Sequence, residues 1–284
     1  MLVVDGTRQV PTGLRYPATA AGSGAPALRD AGQFPLIVFS AGFDIAPESY
    51  AALLDQWASE GYVVADPNYP ATAPGAPGGV NEMDIVQHPA DLRAVITALL
   101  QAGNTPGGVL SGIIDPRDIG AAGHSDGGDV TDAVATNTCC RDGRVTAAAI
   151  LSGAELTSWG GTYEAAGAPP LLVAQGSADP INVPGCSQQI YNTAGSPKYY
   201  LDLIGAGHHS PYLASGPYQA APEQAAAYQA VVTRATIDFW NAYLKHSSTA
   251  AAALLVDAAR SGVSTITSGP TVPVTGGCPG APVG

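Results

Sequence analysis

The sequence predicts an α/β protein with a mostly parallel central sheet flanked by helices and no large cap domain. Three observations carry this. Continuous apolar runs of strand length recur, beginning with Phe34-Pro35-Leu36-Ile37-Val38-Phe39, and such runs belong to strands covered on both faces. Helix-length segments separate the first of these runs, which makes βαβ units and parallel neighbours. Finally, Gly123-His124-Ser125-Asp126-Gly127 stands between a small-residue run and a helical stretch from Val130, the pattern of a strand turning sharply into a helix.

In chain order, residues 2–17 alternate apolar and polar types around Asp5-Gly6, a hairpin signal. Residues 18–33 are rich in Ala, Gly and Pro and read as a surface loop. The strand at 34–39 ends in Ser40-Ala41-Gly42-Phe43, and a helix follows from about Pro47 to Ser59. Gly61 to Asp66 is the next strand, parallel to the first. Asn68 to Val80, dense in Pro, Gly and Ala, is a loop at the expected rim of a site. A helix over 84–102 carries Ile85, Leu92, Val95, Ile96, Leu99 and Leu100 as its buried stripe. A loop over 103–116 leads into the strand before Ser125. Further strands are expected at 145–151, 169–176 and 198–204, the last of the sheet. The chain between Ser152 and Pro169 is too short for a helical cap, which predicts an open site. A long helix near 222–245 closes one face, and 248–260 adds a second. The expected organisation is one domain over 1–284, with a core of about 14–245 and a C-terminal extension of 246–284.

Apolar residues make up 46% of the 284, enough for a sizeable core, and only 12% are charged. A formal charge of −12 argues against a nucleic-acid partner, which needs a basic footprint, and disfavours anionic substrates and membrane surfaces. No run of about 18 apolar residues exists to span a bilayer. Met1-Leu2-Val3-Val4-Asp5 lacks the regions of a signal peptide; the chain therefore reads as cytosolic or as a mature secreted domain without its leader. Cys139, Cys140, Cys186 and Cys278 contain no C-x-x-C pair and so no zinc pattern. Their pairing is open among three possibilities. Cys278 lies in the Gly/Pro-rich tail Gly276-Gly277-Cys278-Pro279-Gly280, where a lone thiol would be oxidisable. At least one disulfide and an extracytoplasmic location are expected.

A serine hydroxyl needs an adjacent base to act as a nucleophile at neutral pH. Ser125 sits in a turn where only small residues fit two before and two after it. His208, in Gly205-Ala206-Gly207-His208-His209 after the last expected strand, is the expected base, with His209 as the alternative. Asp179, in Gly176-Ser177-Ala178-Asp179-Pro180, is the expected acid and gives the chain order Ser, Asp, His. Glu155 is the fallback and Asp202 a weaker choice. His88 reads as structural and His246 as exposed. Two N–H donors are needed where negative charge develops: Asp126, after the nucleophile, and Phe43, after the first apolar strand. A carboxylate at 126 fits the first turn of a helix, where the dipole favours it.

These motifs, with Phe39-Ser40-Ala41-Gly42-Phe43 and Pro89-Ala90-Asp91-Leu92-Arg93, span about Leu14 to Leu244. Over that length the chain resembles an α/β-hydrolase, and within it the bacterial serine esterases related to platelet-activating-factor acetylhydrolase, chlorophyllase and cutinase-like polyester hydrolases. The resemblance implies hydrolysis of carboxylic esters through an acyl-enzyme without metal or organic cofactor. It gives Ser125, Asp179 and His208 the triad roles and Phe43 and Asp126 the oxyanion roles. Phe43 matches the aromatic of the oxyanion loop in the polyester-cleaving relatives. Asp126 departs from their apolar residue, and Ser152-Gly153-Ala154-Glu155 lacks their Trp, for which Trp159 is a nearby substitute. Phe43, His124 and Trp159 are thus the candidate substrate contacts.

The leading reading is a secreted, monomeric serine esterase acting on short or medium acyl esters, with polymeric polyesters as the alternative substrate. A catalytically silent fold used for binding has no need of all three triad residues. A peptidase or acyltransferase would use the same triad, but transfer requires water to be excluded, which an open site does not provide.

Overall fold

The computed structural model describes residues 2–5, 7–214, 216 and 219–278. Gly6, of the expected hairpin turn, and Pro279 and Gly280, of the tail, lie outside the described residues. The strands are β1 (Leu2–Asp5), β2 (Arg8–Arg15), β3 (Phe34–Ser40), β4 (Val63–Pro67), β5 (Ile114–His124), β6 (Val145–Leu151), β7 (Leu171–Gly176), β8 (Lys198–Leu203) and β9 (Ser264–Thr267). They form a nine-stranded sheet in the order β1-β2-β4-β3-β5-β6-β7-β8-β9. Pairing is parallel from β4 across to β8, and antiparallel at both ends. This is the α/β-hydrolase type of sheet expected from the sequence.

The helices are α1 (Ala51–Ser59), α2 (His88–Asn104), α3 (Asp126–Thr136), α4 (Pro184–Thr193), α5 (Pro222–Tyr243) and α6 (Ser248–Asp257). Strand alternation decides which helices each face receives. Leu36 and Val38 of β3 pack with Leu92, Val95 and Leu99 of α2 and Val130 and Val134 of α3. Ile37 and Phe39 point the other way, toward Leu54 and Trp57 of α1 and Phe239 and Trp240 of α5. Farther along, Ile190 and Tyr191 of α4 cover Ala148, Ile150, Leu171 and Val173. Both faces are covered, which is why the central strands read as unbroken apolar runs.

Four local features differ from the sequence reading. Residues 47–50 and 82–87 are 3-10 turns leading into α1 and α2. β5 begins at Ile114, inside the expected loop, because Ile114 and Asp115 pair with Phe34 and Pro35 before a register shift. Helix α4 offers no long apolar stripe, since its apolar burial rests on Cys186, Ile190 and Tyr191. The strand at 198–203 is not the last: β9, four residues with a single large apolar side chain, pairs antiparallel beyond it.

Disulfides join Cys186 to Cys278 and the adjacent Cys139 to Cys140. The first ties α4 to the tail, as oxidisable cysteines of an extracellular protein would. No described helix is long and apolar enough to cross a membrane.

Candidate active site

The parallel strands all deliver their C-terminal ends to one edge of the sheet, where open α/β sheets place their ligands. Residues 41–43 follow β3, Ser125 follows β5, Asp179 follows β7 and His208 follows β8.

Ser125 occupies the junction between β5 and α3 with φ 56° and ψ −126°, a left-handed region that costs a side-chain-bearing residue strain. The flanking glycines make the turn possible by close approach. A Cβ on Gly123 would stand 2.0 Å from the Gly127 carbonyl oxygen. The turn is pinned by Ser125 N–H to the Leu151 carbonyl at 3.0 Å and by Asp129 N–H to the Ser125 carbonyl at 3.0 Å.

The loops after β7 and β8 are laced together. Ser177 N–H donates to Leu203 O and Ala178 N–H to Ala206 O, both at 3.0 Å. Within them His208 Nδ1 donates to Asp179 Oδ2 at 2.7 Å. The carboxylate's other bonds come from Gln175 Nε2 to Oδ2 at 3.2 Å and Ile181 N–H to Oδ1 at 2.9 Å. Three donors on one buried carboxyl group fix its orientation. Of the two histidines considered as base, it is His208 that pairs with Asp179. The other acids are engaged elsewhere: Glu155 accepts from Gln189 Nε2 at 2.6 Å, and Asp202 lies within β8 opposite Thr265.

His208 comes against the Ser125 turn through its main chain, since its carbonyl accepts from His124 Nε2 at 3.0 Å. Among the described residues no hydrogen bond joins the Ser125 hydroxyl to His208. Among the described residues, no other residue's acceptor takes the N–H of Phe43 or of Asp126, and the Asp126 N–H is turned toward its own carboxyl group.

The candidate substrate contacts are divided. Phe43 is half-buried after β3, in the position expected of it. His124, expected to touch substrate, is instead fully buried at 0% exposure. Its ring nitrogens are both engaged by protein, by Tyr50 and by His208. The reason is the strand period: one residue before the turn, the side chain still belongs to the sheet face. Trp159 packs at the edge of the apolar cluster that contains Ala154 and Leu156, with its indole Nε1 buried and unpartnered among the described residues.

Asp126 is nearly buried, and its Oδ2 has no hydrogen-bond partner among the described residues. Burial, with the like charge of Glu82 adding to it, raises its carboxyl to about 7. Asp129 and Asp132, one and two turns on, are pushed well above the ordinary carboxylate value, chiefly by burial. No composition or spacing signal pointed to these three as buried acids, because a one-turn spacing of aspartates reads equally as a solvated face. His88 is structural, stacked on Tyr69 with ring centroids 3.9 Å apart, and the exposed His246 pairs with Asp118 at 2.9 Å. No group of His, Cys, Asp or Glu among the described residues is arranged to hold a metal ion.

Comparison with protein families adds one finding. Residues 25–153 match the chlorophyllase family model. The match fits the chlorophyllase-like resemblance carried by the motifs, and the α/β sheet is the fold of that hydrolase type. It takes in β3 to β6 and therefore Phe43, Ser125 and Asp126, and it stops before Asp179 and His208. A chlorophyllase-like match points to an ester hydrolase of the α/β-hydrolase type. No curated protein matches the chain.

Proposed function

We propose that this protein is a serine carboxylic ester hydrolase. Ser125 attacks the ester carbonyl, and His208 takes its proton and passes it to the leaving alcohol. Water then repeats the sequence on the acyl-enzyme. Asp179 holds the His208 ring with Nδ1 protonated and Nε2 free to act as base, and it stabilises the imidazolium that forms. The N–H groups of Phe43 and Asp126 receive the oxyanion, an interaction worth about 3 kcal/mol for each donor in comparable sites.

The observation that carries this reading is the buried 2.7 Å pair between His208 Nδ1 and Asp179 Oδ2, set on the loops that flank the strained Ser125 turn. Support comes also from Ser125 at φ 56°, in a turn whose flanking residue His124 bonds the main chain of His208. An open site is supported by residues 152–170, which hold one short 3-10 turn, Thr157–Trp159, and no helical cap. Short and medium acyl esters are the expected substrates. Export is supported by the two disulfides.

The test is hydrolysis of p-nitrophenyl esters from acetate to long chains, with a fluorophosphonate probe to mark a reactive serine. Turnover, and labelling that disappears in Ser125→Ala, are expected. Absence of both would sink the enzymatic reading. An amorphous aromatic polyester film in the same assay decides whether polymers are substrates.

A further inference from the structure

We infer that Tyr50 and His124 are positioning residues: a buried hydrogen-bonded strut that sets the oxyanion loop at Gly42 and the base-bearing loop at His208 in fixed relation across the Ser125 turn. The inference rests on the esterase reading for its catalytic meaning. Its structural content stands without it.

The strut is continuous. Gly42 N–H donates to the Tyr50 hydroxyl at 3.2 Å, Tyr50 and His124 Nδ1 are 2.8 Å apart, and His124 Nε2 lies 3.0 Å from the His208 carbonyl oxygen. Its two ends fix its direction. A main-chain N–H only donates and a carbonyl only accepts. Tyr50 must therefore give its proton to Nδ1, and His124 must carry its own on Nε2. One neutral tautomer satisfies every group, and no other does.

Tyr50 and His124 are both fully buried. Burial first, then the neighbouring His208 and His209, hold the His124 imidazole well below its ordinary value. The ring thus stays neutral and the direction of the strut does not change with pH. Aromatic neighbours fix its place: the His124 ring lies 4.6 Å from Tyr212 and Tyr50 lies 4.7 Å from Phe39, between centroids.

Packing alone does not account for this arrangement. An apolar side chain would fill the space under Ser125 without two desolvated nitrogens to satisfy. What the imidazole adds is a pair of directed bonds, one to the His208 loop and one to Tyr50, whose hydroxyl in turn accepts from Gly42. Gly42 immediately precedes Phe43, the proposed oxyanion donor. His208 is held at its ring by Asp179 and at its main chain by His124, so its imidazole is fixed from two sides. Displacements of about 1 Å in such groups cost on the order of 100-fold in rate.

Three variants test the strut. His124→Leu removes both bonds, Tyr50→Phe removes the hydroxyl alone, and His124→Gln restores one acceptor and one donor. Each is measured for kcat and KM on p-nitrophenyl acetate well below its melting temperature. The low-field proton signal of the His208 Nδ1–H bond to Asp179 is recorded by NMR in each. His124→Leu should lower kcat by about 100-fold with KM unchanged, and broaden or shift the low-field signal. Gln should recover part of both, and Tyr50→Phe should fall between Leu and the parent. Folded Tyr50→Phe and His124→Gln proteins with parental kcat and signal would overturn the inference, even if His124→Leu failed to fold. A parent protein with no turnover and no labelled serine would instead refute the esterase reading. The NMR comparison would still decide the strut.

Discussion

Gly127 lies so close to the Ser40 carbonyl oxygen that a Cβ built on it would stand 2.0 Å away. The two are main-chain groups from β3 and the first turn of α3, and neither can move without shifting the Ser125 turn. Gly127→Ala should therefore destabilise the protein by about 4 kcal/mol or more, in the range of severe backbone and core lesions, and abolish esterase activity. Gly143, which has open space around its α-carbon, provides the control. Gly143→Ala should leave the melting temperature unchanged or slightly raised. Thermal melts of the two variants side by side make the comparison.

Asp179 accepts from His208 Nδ1, Gln175 Nε2 and Ile181 N–H. In Asp179→Asn the side chain keeps its size but loses its charge, and its amide favours the wrong imidazole tautomer. We expect kcat on p-nitrophenyl acetate to fall by about 10⁴-fold, the scale known for this change in serine hydrolases. Circular dichroism should remain parental. A fall of less than about tenfold would remove Asp179 from the acid role.

The two disulfides should contribute very differently to stability. Cys186 and Cys278 are separated by 92 positions, and closing so long a loop removes much unfolded-state entropy, about 4.6 kcal/mol on the chain-entropy account. Cys139 and Cys140 are adjacent and close no comparable loop. Replacing the first pair by serine should lower the melting temperature clearly, and replacing the second should change it little. Tail contacts such as Val272 N–H to Asn192 Oδ1 at 2.8 Å do not depend on the first disulfide and limit the loss.

The elements that place the candidate site were legible where the code is periodic or punctuated. Apolar runs such as 34–39 and 145–151 have the length and flanks of covered strands, and the glycines around Ser125 mark a turn that larger residues cannot enter. What escaped was set by tertiary pairing. β9 has one large apolar residue and exists because the edge of β8 needs a partner. Helix α4 owes its place to Ile190, Tyr191 and a disulfide rather than to a stripe. For His124, nearness to Ser125 in sequence suggested nearness to substrate, whereas strand alternation turns its side chain into the sheet face, where Tyr50, 74 positions away, bonds its Nδ1. The ion pairs of Arg8 with Asp84 and Asp91, at 2.7 and 2.8 Å, also join segments that no local pattern connects.

Asp126 makes stability depend on pH in a direction opposite to that of a salt-bridged carboxylate. Its carboxyl titrates at about 7 in the folded protein, raised by burial and then by Glu82, and near 3.9 in an unfolded chain. The folded state therefore holds the proton more tightly. The associated stability is fully present below about pH 4 and is lost as the pH rises through about 7. Each pKa unit corresponds to about 1.4 kcal/mol, so the loss is on the order of a few kcal/mol. Asp126→Asn mimics the protonated form and keeps the main-chain N–H proposed for the oxyanion. It should raise the melting temperature relative to the parent at pH 8 and leave it nearly unchanged at pH 4. Asp129, whose carboxyl is raised by burial and by Asp126, retains part of the pH slope in that variant, and Asp126→Asn/Asp129→Asn should flatten it further. Melting curves from pH 4 to 8 measure both, and equal gains at the two ends would show that Asp126 does not change ionisation on folding.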